Sequence, residues 1–326
     1  MLSSGRLALI TLLVSIWFAN FRPSVGQETV AGKTAQGEEA CRDVSSLQQA
    51  AKEGELRAAY RLGRCYMYGT DVPQNYGRAA TWFGKAAERG QPDANFMMGY
   101  LYEHGTGVRR DYKQAVIYYI AAAKQGHATA QNNLASLYEH GQGVTRNIEK
   151  AAEWYRAAAK QGEVTAQCNL ASLYFKGRGV PQDNVQAGTW FRAAAEQGYA
   201  PAQEDLAWMY YTGTGVALDY AEAAIWVRRA AERGYPRAEL DLGYLYEQGK
   251  GVPVDYVSAY MWYSSAAKKG QKAGEKKLKE LSRLMTRQQI SAAVARAAEL
   301  PAATGVAPPN GLTGATQSIF PKLSAE

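Results

Sequence analysis

Small, apolar and aromatic residues recur along this chain with a period of 36 residues. Ala58, Leu62 and Tyr66 are spaced i, i+4 and i+8, which places them on one stripe of a helix. The same positions recur five times in the same register, as Ala94, Met98 and Tyr102; Ala130, Leu134 and Tyr138; Ala166, Leu170 and Tyr174; Ala202, Leu206 and Tyr210; and Ala238, Leu242 and Tyr246. A fixed period of this length is typical of helical repeats that stack along one axis.

Glycine and Asn or Asp residues mark the ends of two helices in each repeat. Gly69 and its equivalents end the first helix, because glycine tolerates the left-handed conformation that follows a helix C-terminus. The second helix begins at a residue whose side chain accepts from free backbone N–H groups, namely Asn75, Asp111, Asn147, Asp183, Asp219 or Asp255. One helix pair cannot bury both of its faces, so the pattern predicts an all-α solenoid of six stacked 36-residue helix pairs.

The ends of the array depart from the repeat and predict capping helices. Residues 39–53 resemble half a repeat, and the frame decays beyond Gly270. Thr286 and Gln289 form a capping-box pattern that opens a final helix, so the capped solenoid spans 38–300. Asp71 stands where the other five repeats have a loop glycine. We therefore expect a different turn there, and faster hydrogen exchange at 69–74 than at 141–146.

The segments outside the array have their own compositions. Residues 1–26 resemble a signal peptide, with Arg6, an apolar run at 7–19 and small residues at the expected cleavage site. The apolar run is shorter than the roughly 20 residues that span a membrane, although an uncleaved anchor stays an alternative. Residues 27–37 are a predicted linker and 301–326 a predicted disordered tail. We expect a periplasmic or secreted monomer with no membrane span after cleavage.

The charge distribution bears on the class of ligand, and the cysteine positions predict a disulfide. The chain has a net charge of +7, and residues 268–283 alone contribute seven Lys and Arg against two Glu. The excess is at one end rather than along the array, which argues against nucleic-acid binding. Cys41 and Cys65 lie at similar distances from the chain reversal near Gly54, so we expect them to form a disulfide and Cys168 to be free and buried.

The motif A-x(3)-LG-x-LY-x(2)-G-x-GV-x(2)-D-x(3)-A-x(2)-WY-x-KAA-x-QG resembles the Sel1-like repeat, a relative of the tetratricopeptide repeat. The resemblance covers residues 38–300 and implies a right-handed α/α superhelix that serves as an adaptor or scaffold in protein complexes. Many members from one bacterial group carry a cysteine pair in every repeat, and this sequence does not. The family fixes no catalytic residue.

Motifs that resemble catalytic or metal sites fail on spacing. The sequence at 26–34 has five residues between the glycines where a phosphate loop needs four. The S-x-x-K pattern at 265–268 falls on alanines that the repeat uses for packing. His104 and His140 each follow a glutamate, but they are one repeat apart and too distant to share a metal ion. We therefore expect no cofactor, no metal site and no enzymatic activity.

By analogy with tetratricopeptide repeats, five positions of each first helix line the concave face. The residues predicted to bind a partner there are Phe96, Tyr100, Glu103, Asn132, Ser136, Glu139, Glu204, Trp208 and Tyr244. Large aromatics at such positions are typical anchors for a protein or peptide segment. Two alternatives stay open. Phe96, Trp208 and Tyr244 could pack inside the superhelix, and the surface could bind carbohydrate or cell-wall polymers instead of protein.

Overall fold

The computed structural model describes Cys41 and residues 43–300. The predicted signal peptide, linker and tail lie outside the described residues. Within the described part of the chain, the regular secondary structure consists of 15 α-helices and no strand. This confirms the all-α class predicted from the 36-residue pattern.

A short helix, α1 (Val44–Lys52), precedes six helix pairs. The first helices of the pairs are α2 (Leu56–Tyr68), α4 (Pro92–His104), α6 (Ala128–His140), α8 (Val164–Lys176), α10 (Ala200–Thr212) and α12 (Pro236–Gln248). The second helices are α3 (Tyr76–Glu88), α5 (Tyr112–Ala123), α7 (Ile148–Lys160), α9 (Asn184–Glu196), α11 (Tyr220–Ala231) and α13 (Tyr256–Lys268). Two further helices, α14 (Lys272–Leu281) and α15 (Arg287–Ala298), follow the last pair.

The helix ends form where the sequence predicts them. Each Asn or Asp that precedes a second helix is an N-cap whose side chain accepts from backbone N–H groups of the first turn. Gly69 and its five equivalents cap the first helices in the left-handed conformation, with φ near that of Gly105, 69°. Thr286 and Gln289 make the predicted capping box of α15.

Small residues let the helices of each pair approach closely. Gly99 on α4 faces the ring of Tyr119 on α5, and a Cβ atom at Gly99 would lie 2.5 Å from that ring. Ala94 on α4 and Ala115 on α5 are also fully buried. The first and second helices therefore interlock through a small residue on one side and a large ring on the other.

In five of the six repeats, a recurring side chain joins the repeat to the residues before it. At the end of the second helix, the residue before the terminal glycine donates to the carbonyl of the glycine one repeat earlier. Gln125 donates to Gly90 at 3.0 Å and Gln197 donates to Gly162 at 3.1 Å. The other pairs of this kind are Arg89 with Gly54, Arg233 with Gly198, and Lys269 with Gly234. These bonds give partners to backbone carbonyls in the turns between consecutive repeats.

The cysteine prediction is confirmed. Cys41 and Cys65 form a disulfide with a Cα–Cα distance of 6.3 Å, and Cys168 is free and buried. The bond fixes the residues before α1 to the first helix of repeat 1. Burial raises the pKa of the Cys168 thiol well above its ordinary value, which keeps it protonated and unreactive.

The expectation of a different turn at Asp71 is wrong. Asp71 has φ 58°, in the same left-handed region as Gly143 with φ 70°. In repeats 2 to 6 a Cβ at this loop position would overlap the backbone of the preceding second helix, as Gly143 shows against Tyr112. In repeat 1 this position holds Asp71, and the helix before it, α1, starts at Val44, about one turn later in the repeat than the second helices start. Aspartate is among the residues that tolerate this conformation best.

Candidate functional site

The first helices form one continuous surface, because side chains on consecutive first helices contact one another. Asn169 on α8 donates to Asn132 on α6 at 3.1 Å. Between α8 and α10, the rings of Phe175 and Trp208 meet edge to face at 5.6 Å. The same stripe of positions thus runs from repeat to repeat, and we call it the first-helix surface.

The predicted aromatic residues of repeat 2 are half-buried and held in place by histidines. Phe96 stacks on His127 with a centroid distance of 4.6 Å and an interplanar angle of 18°. Tyr100 stacks on His104 at 4.1 Å. His127 is the N-cap of α6, so a backbone contact fixes the ring that supports Phe96. Phe96 therefore belongs partly to the packing between repeats, whereas Tyr100 lies against an exposed histidine.

Two predicted glutamates bind buried tyrosines of their own repeats. Tyr119 donates to Glu103 at 2.6 Å, and Tyr155 donates to Glu139 at 3.0 Å. Arg178 on the next repeat also lies 3.2 Å from the Glu139 carboxylate. These carboxylates border the first-helix surface, but each has a structural partner that the sequence reasoning missed. The available signal was that a glutamate at this position accompanies a tyrosine 16 residues later.

Apart from Phe175 at the end of α8, repeats 3 and 4 present mainly small polar side chains. Asn132 donates to Asn133 at 3.3 Å, and Asn133 donates to the Tyr119 hydroxyl at 3.1 Å. Together with the Asn169 bond, this makes a chain of amides across two repeat boundaries. Ser136 lies 3.5 Å from the ring of His140. The middle of the first-helix surface is therefore polar and short of large side chains.

Large aromatics return in repeats 5 and 6. Trp208 borders a small cavity together with Phe175, Met209 and Asp205. On the next turn of α10, the Tyr211 hydroxyl accepts from Lys250 at 2.7 Å and is hydrogen-bonded to Tyr244. Trp208 and Tyr244 are both half-buried. Their exposed edges and the small cavity beside Trp208 form an apolar feature on the first-helix surface.

Glu204 lies in the interior rather than on the open surface. Only 6% of it is exposed, and burial together with the carboxylates of Asp241 and Asp205 raises its pKa to about 8, although Arg237 opposes the shift. The carboxyl is therefore protonated at neutral pH. A partner that approaches the first-helix surface meets Trp208 rather than this group.

The described residues hold no group of three or more His, Cys, Asp or Glu side chains arranged to bind a metal ion. His104 and His140, the histidines considered for a shared site, instead each contact a backbone carbonyl of their own helix. In the same part of the chain, no helix has both the length and the apolar composition needed to cross a membrane.

Stacked helix pairs of this kind define the α-solenoid class of repeat proteins. The family model for the Sel1 repeat matches six consecutive segments, at residues 56–91, 92–127, 128–163, 164–199, 200–235 and 236–271. The chain belongs to the Sel1 repeat family. Proteins built from this repeat generally serve as protein-interaction scaffolds.

Two solved structures are similar over most of the chain. A protective antigen present in uropathogenic Escherichia coli strains, which displays an SLR fold, is 34% identical with a TM-score of 0.73; the match covers 79% of this chain and 56% of that one. A Sel1 repeat protein from Oxalobacter formigenes is 36% identical with a TM-score of 0.65, over 72% of this chain and 68% of that one. The chain thus spans little more than half of the antigen. A comparison with curated proteins finds no match.

Proposed function

We propose that this protein is an exported adaptor that holds an extended segment of another protein along the first-helix surface. The observation that carries the proposal is the placement of half-exposed aromatic rings, Tyr100 in repeat 2 and Trp208 and Tyr244 in repeats 5 and 6, around a polar middle. Rings of this kind anchor partner segments, and the amide and hydroxyl groups between them suit a peptide backbone.

Export is supported by the cysteines. A disulfide between Cys41 and Cys65 persists in an oxidising compartment, such as the periplasm or the extracellular space, and is rare in the cytosol. The signal-like sequence at 1–26 favours the same compartments. Mass measurement of the protein recovered from fractionated cells tests this. A mature chain that begins near residue 27 and contains an oxidised Cys41 is expected. A reduced, full-length chain in the cytosol would contradict export.

Site-specific photo-crosslinking tests the binding surface directly. A photoreactive amino acid is introduced at Tyr100 or Trp208, and at Ile117 as the matched control, because Ile117 is exposed on a second helix. Discrete crosslinked protein adducts are expected from the first two positions and not from the third. Equal crosslinking from all three positions would show that the partner does not bind specifically at the first-helix surface.

Substitution then measures the contribution of the rings to binding of the captured partner. Tyr100→Ala and Trp208→Ala are each expected to weaken binding by about 2 kcal/mol, roughly 30-fold in Kd, as truncated anchor residues do. Charge reversal at Lys276 and Lys279, which are exposed on α14, is expected to change mainly the salt dependence and the association rate. If the lysine variants abolish binding and the aromatic variants do not, the protein acts as an electrostatic tether.

Carbohydrate or cell-wall binding is the alternative function, because exposed Tyr and Trp rings also stack on sugars. Retention of the wild-type protein on peptidoglycan or polysaccharide, with loss in Trp208→Ala and no crosslinked protein, would favour it. The half-exposed rings and the length of the surface suit either ligand, whereas the general role of the family as protein-interaction scaffolds favours a protein segment.

A further inference from the structure

The loop residue that precedes the N-cap of each second helix is polar in the first four repeats and apolar in the last two. In repeats 1, 3 and 4 its side chain donates to a carbonyl near the end of the first helix: Gln74 to Met67 at 3.0 Å, Arg146 to Glu139 at 3.0 Å, and Gln182 to Phe175 at 2.9 Å. Repeats 5 and 6 have Leu218 and Val254 here, whose side chains have no donor, and each is 57% exposed. Helix capping does not account for these two residues.

A third apolar side chain is exposed beside them because the array stops. In earlier repeats the first residue of the second helix lies under the loop of the next repeat; a Cβ on Gly251, for example, would overlap the Tyr220 carbonyl. The family match ends at residue 271, and Tyr256, the equivalent of Tyr220 in repeat 6, is 38% exposed. The Gly251 contact also shows that the loops of repeats 5 and 6 are packed together. We call Leu218, Val254 and Tyr256 the terminal loop patch.

The chain leaves its last helix near this patch. The C-terminal helix α15 packs on α13, and Arg296 is close enough to interact electrostatically with Asp255, which lies between Val254 and Tyr256 in sequence. Leu300 packs against the same apolar cluster as Trp262 of α13. Residues that follow Leu300 therefore start beside the terminal loop patch.

Within residues 301–326, large apolar side chains concentrate at one place. Ile319, Phe320 and Leu323 fall within five residues, and the sequence between them and Leu300 is mainly Pro, Gly, Ala and Thr. If the 18 residues between Leu300 and Ile319 follow random-coil statistics, their root-mean-square span is about 20–25 Å. Tethering over such a distance gives an effective concentration of about 1 mM or more, so an intrinsic Kd well below that value keeps the segment bound.

We propose that residues 319–323 dock on the terminal loop patch of the same chain. Ile319 and Phe320 cover Leu218, Val254 and Tyr256. Pro321 favours an extended backbone at Phe320, which suits a segment lying across two neighbouring loops. The patch is on the loop edge of the array, so this docking is independent of binding at the first-helix surface.

Hydrogen exchange of the full-length chain tests the docking. Amides at 317–323 are expected to exchange about 10-fold more slowly than in an unstructured segment, and Leu218→Gln with Val254→Gln is expected to abolish this protection. Glutamine is the residue that repeats 1 and 4 carry at this position, so the fold is retained. Val185→Gln, at an exposed position on α9, is the matched control and should keep the protection.

Three results would overturn the proposal. The first is exchange at 317–323 as fast in the wild type as in an unstructured segment. The second is protection that persists in the double glutamine variant. The third is protection that grows with protein concentration, which would make the occupant a second copy of the chain. Phe320→Ser is the reciprocal variant. It should lose protection at 317–323, while photo-crosslinking at the first-helix surface stays unchanged.

Discussion

At the scale of single residues, each second helix places one side chain against the first helix of its own repeat. Where that side chain is tyrosine, the first helix provides a glutamate: Tyr119 with Glu103, Tyr155 with Glu139, and Tyr263 with Glu247. Where the hydroxyl is absent, the partner position is not acidic: Phe83 with Met67, Phe191 with Phe175, and Val227 with Tyr211. A buried hydroxyl needs an acceptor, which explains why the two positions change together.

This pairing predicts how repeat 2 responds to substitution. Tyr119→Phe leaves the Glu103 carboxylate without its buried donor and is expected to lower the free energy of unfolding by about 1–2 kcal/mol. Adding Glu103→Met produces the Phe–Met pair that repeat 1 uses, and it should recover part of the loss. Urea unfolding of the two variants and the wild type measures both effects. A double variant no more stable than Tyr119→Phe would show that the pair is not an independent unit.

At the scale of elements, the loop between the two helices of a repeat is fixed by its glycines. Gly143 combines a left-handed φ of 70° with a close approach to the Tyr112 backbone, so both conformation and space exclude a side chain. Asp71 has a left-handed φ of 58°, and we infer that its side chain has more room, because α1 starts later than the second helices that precede the other loops. The same turn is thus built from different residues in repeat 1 and in repeat 3.

Exchanging these residues gives a matched test. Gly143→Asp introduces the residue of repeat 1 and is expected to cost about 2 kcal/mol or more, because its Cβ forces the loop away from α5. Asp71→Gly removes a left-handed non-glycine residue and should stabilise by about 1 kcal/mol. Thermal unfolding compares the two variants with the wild type. Equal costs at both positions would refute the explanation based on α1.

Faster hydrogen exchange at the loop of repeat 1 than at the loop of repeat 3 remains a prediction, although its physical reason is no longer a different turn. Residues 69–74 are expected to open faster than 141–146, since repeat 1 holds an aspartate in a conformation that costs it free energy and follows the short helix α1, Val44–Lys52. Asp71→Gly should reduce the difference. Faster opening at 141–146 would contradict the expectation.

At the scale of the whole molecule, the solenoid contains a proton-linked site between repeats 5 and 6. Glu204 has its pKa raised to about 8 by burial and by neighbouring carboxylates, so the folded protein holds a proton that the unfolded chain releases near pH 4.5. A raised folded pKa contributes stability that is fully present below the unfolded pKa. That stability is lost as pH rises through the folded pKa.

The expected result is therefore a decrease in the free energy of unfolding by about 1.4 kcal/mol per pH unit from this group between pH 5 and 8. Glu204→Gln is permanently neutral and should flatten that part of the profile, with the larger gain in stability at pH 8. Denaturant unfolding of both proteins at pH 5, 6.5 and 8 measures the difference. Parallel profiles would show that Glu204 does not titrate in this range.

Local chemistry repeated every 36 residues made the helices and their ends predictable. Asn75 and Asp111 are N-caps, Gly69 and Gly105 are left-handed C-caps, and the reversal near Gly54 brings Cys41 to Cys65, all as the spacing indicates. These features depend on residues close in sequence or on one helix hairpin. Backbone conformation and hydrogen bonding within a few turns are sufficient to determine them.

Tertiary packing decided which of the predicted binding residues are exposed to a partner. Glu204 lies inside, Phe96 is held by His127, and Glu103 is bound to Tyr119, whereas Tyr100 and Trp208 keep exposed edges. One sequence position in the repeat thus has different surroundings in different repeats, because the residues that cover it come from the neighbouring repeat. The sequence determined the repeat, its helices and their caps through local interactions. The exposure, protonation and partners of each surface side chain depended on contacts between repeats, which only the stacked structure defines.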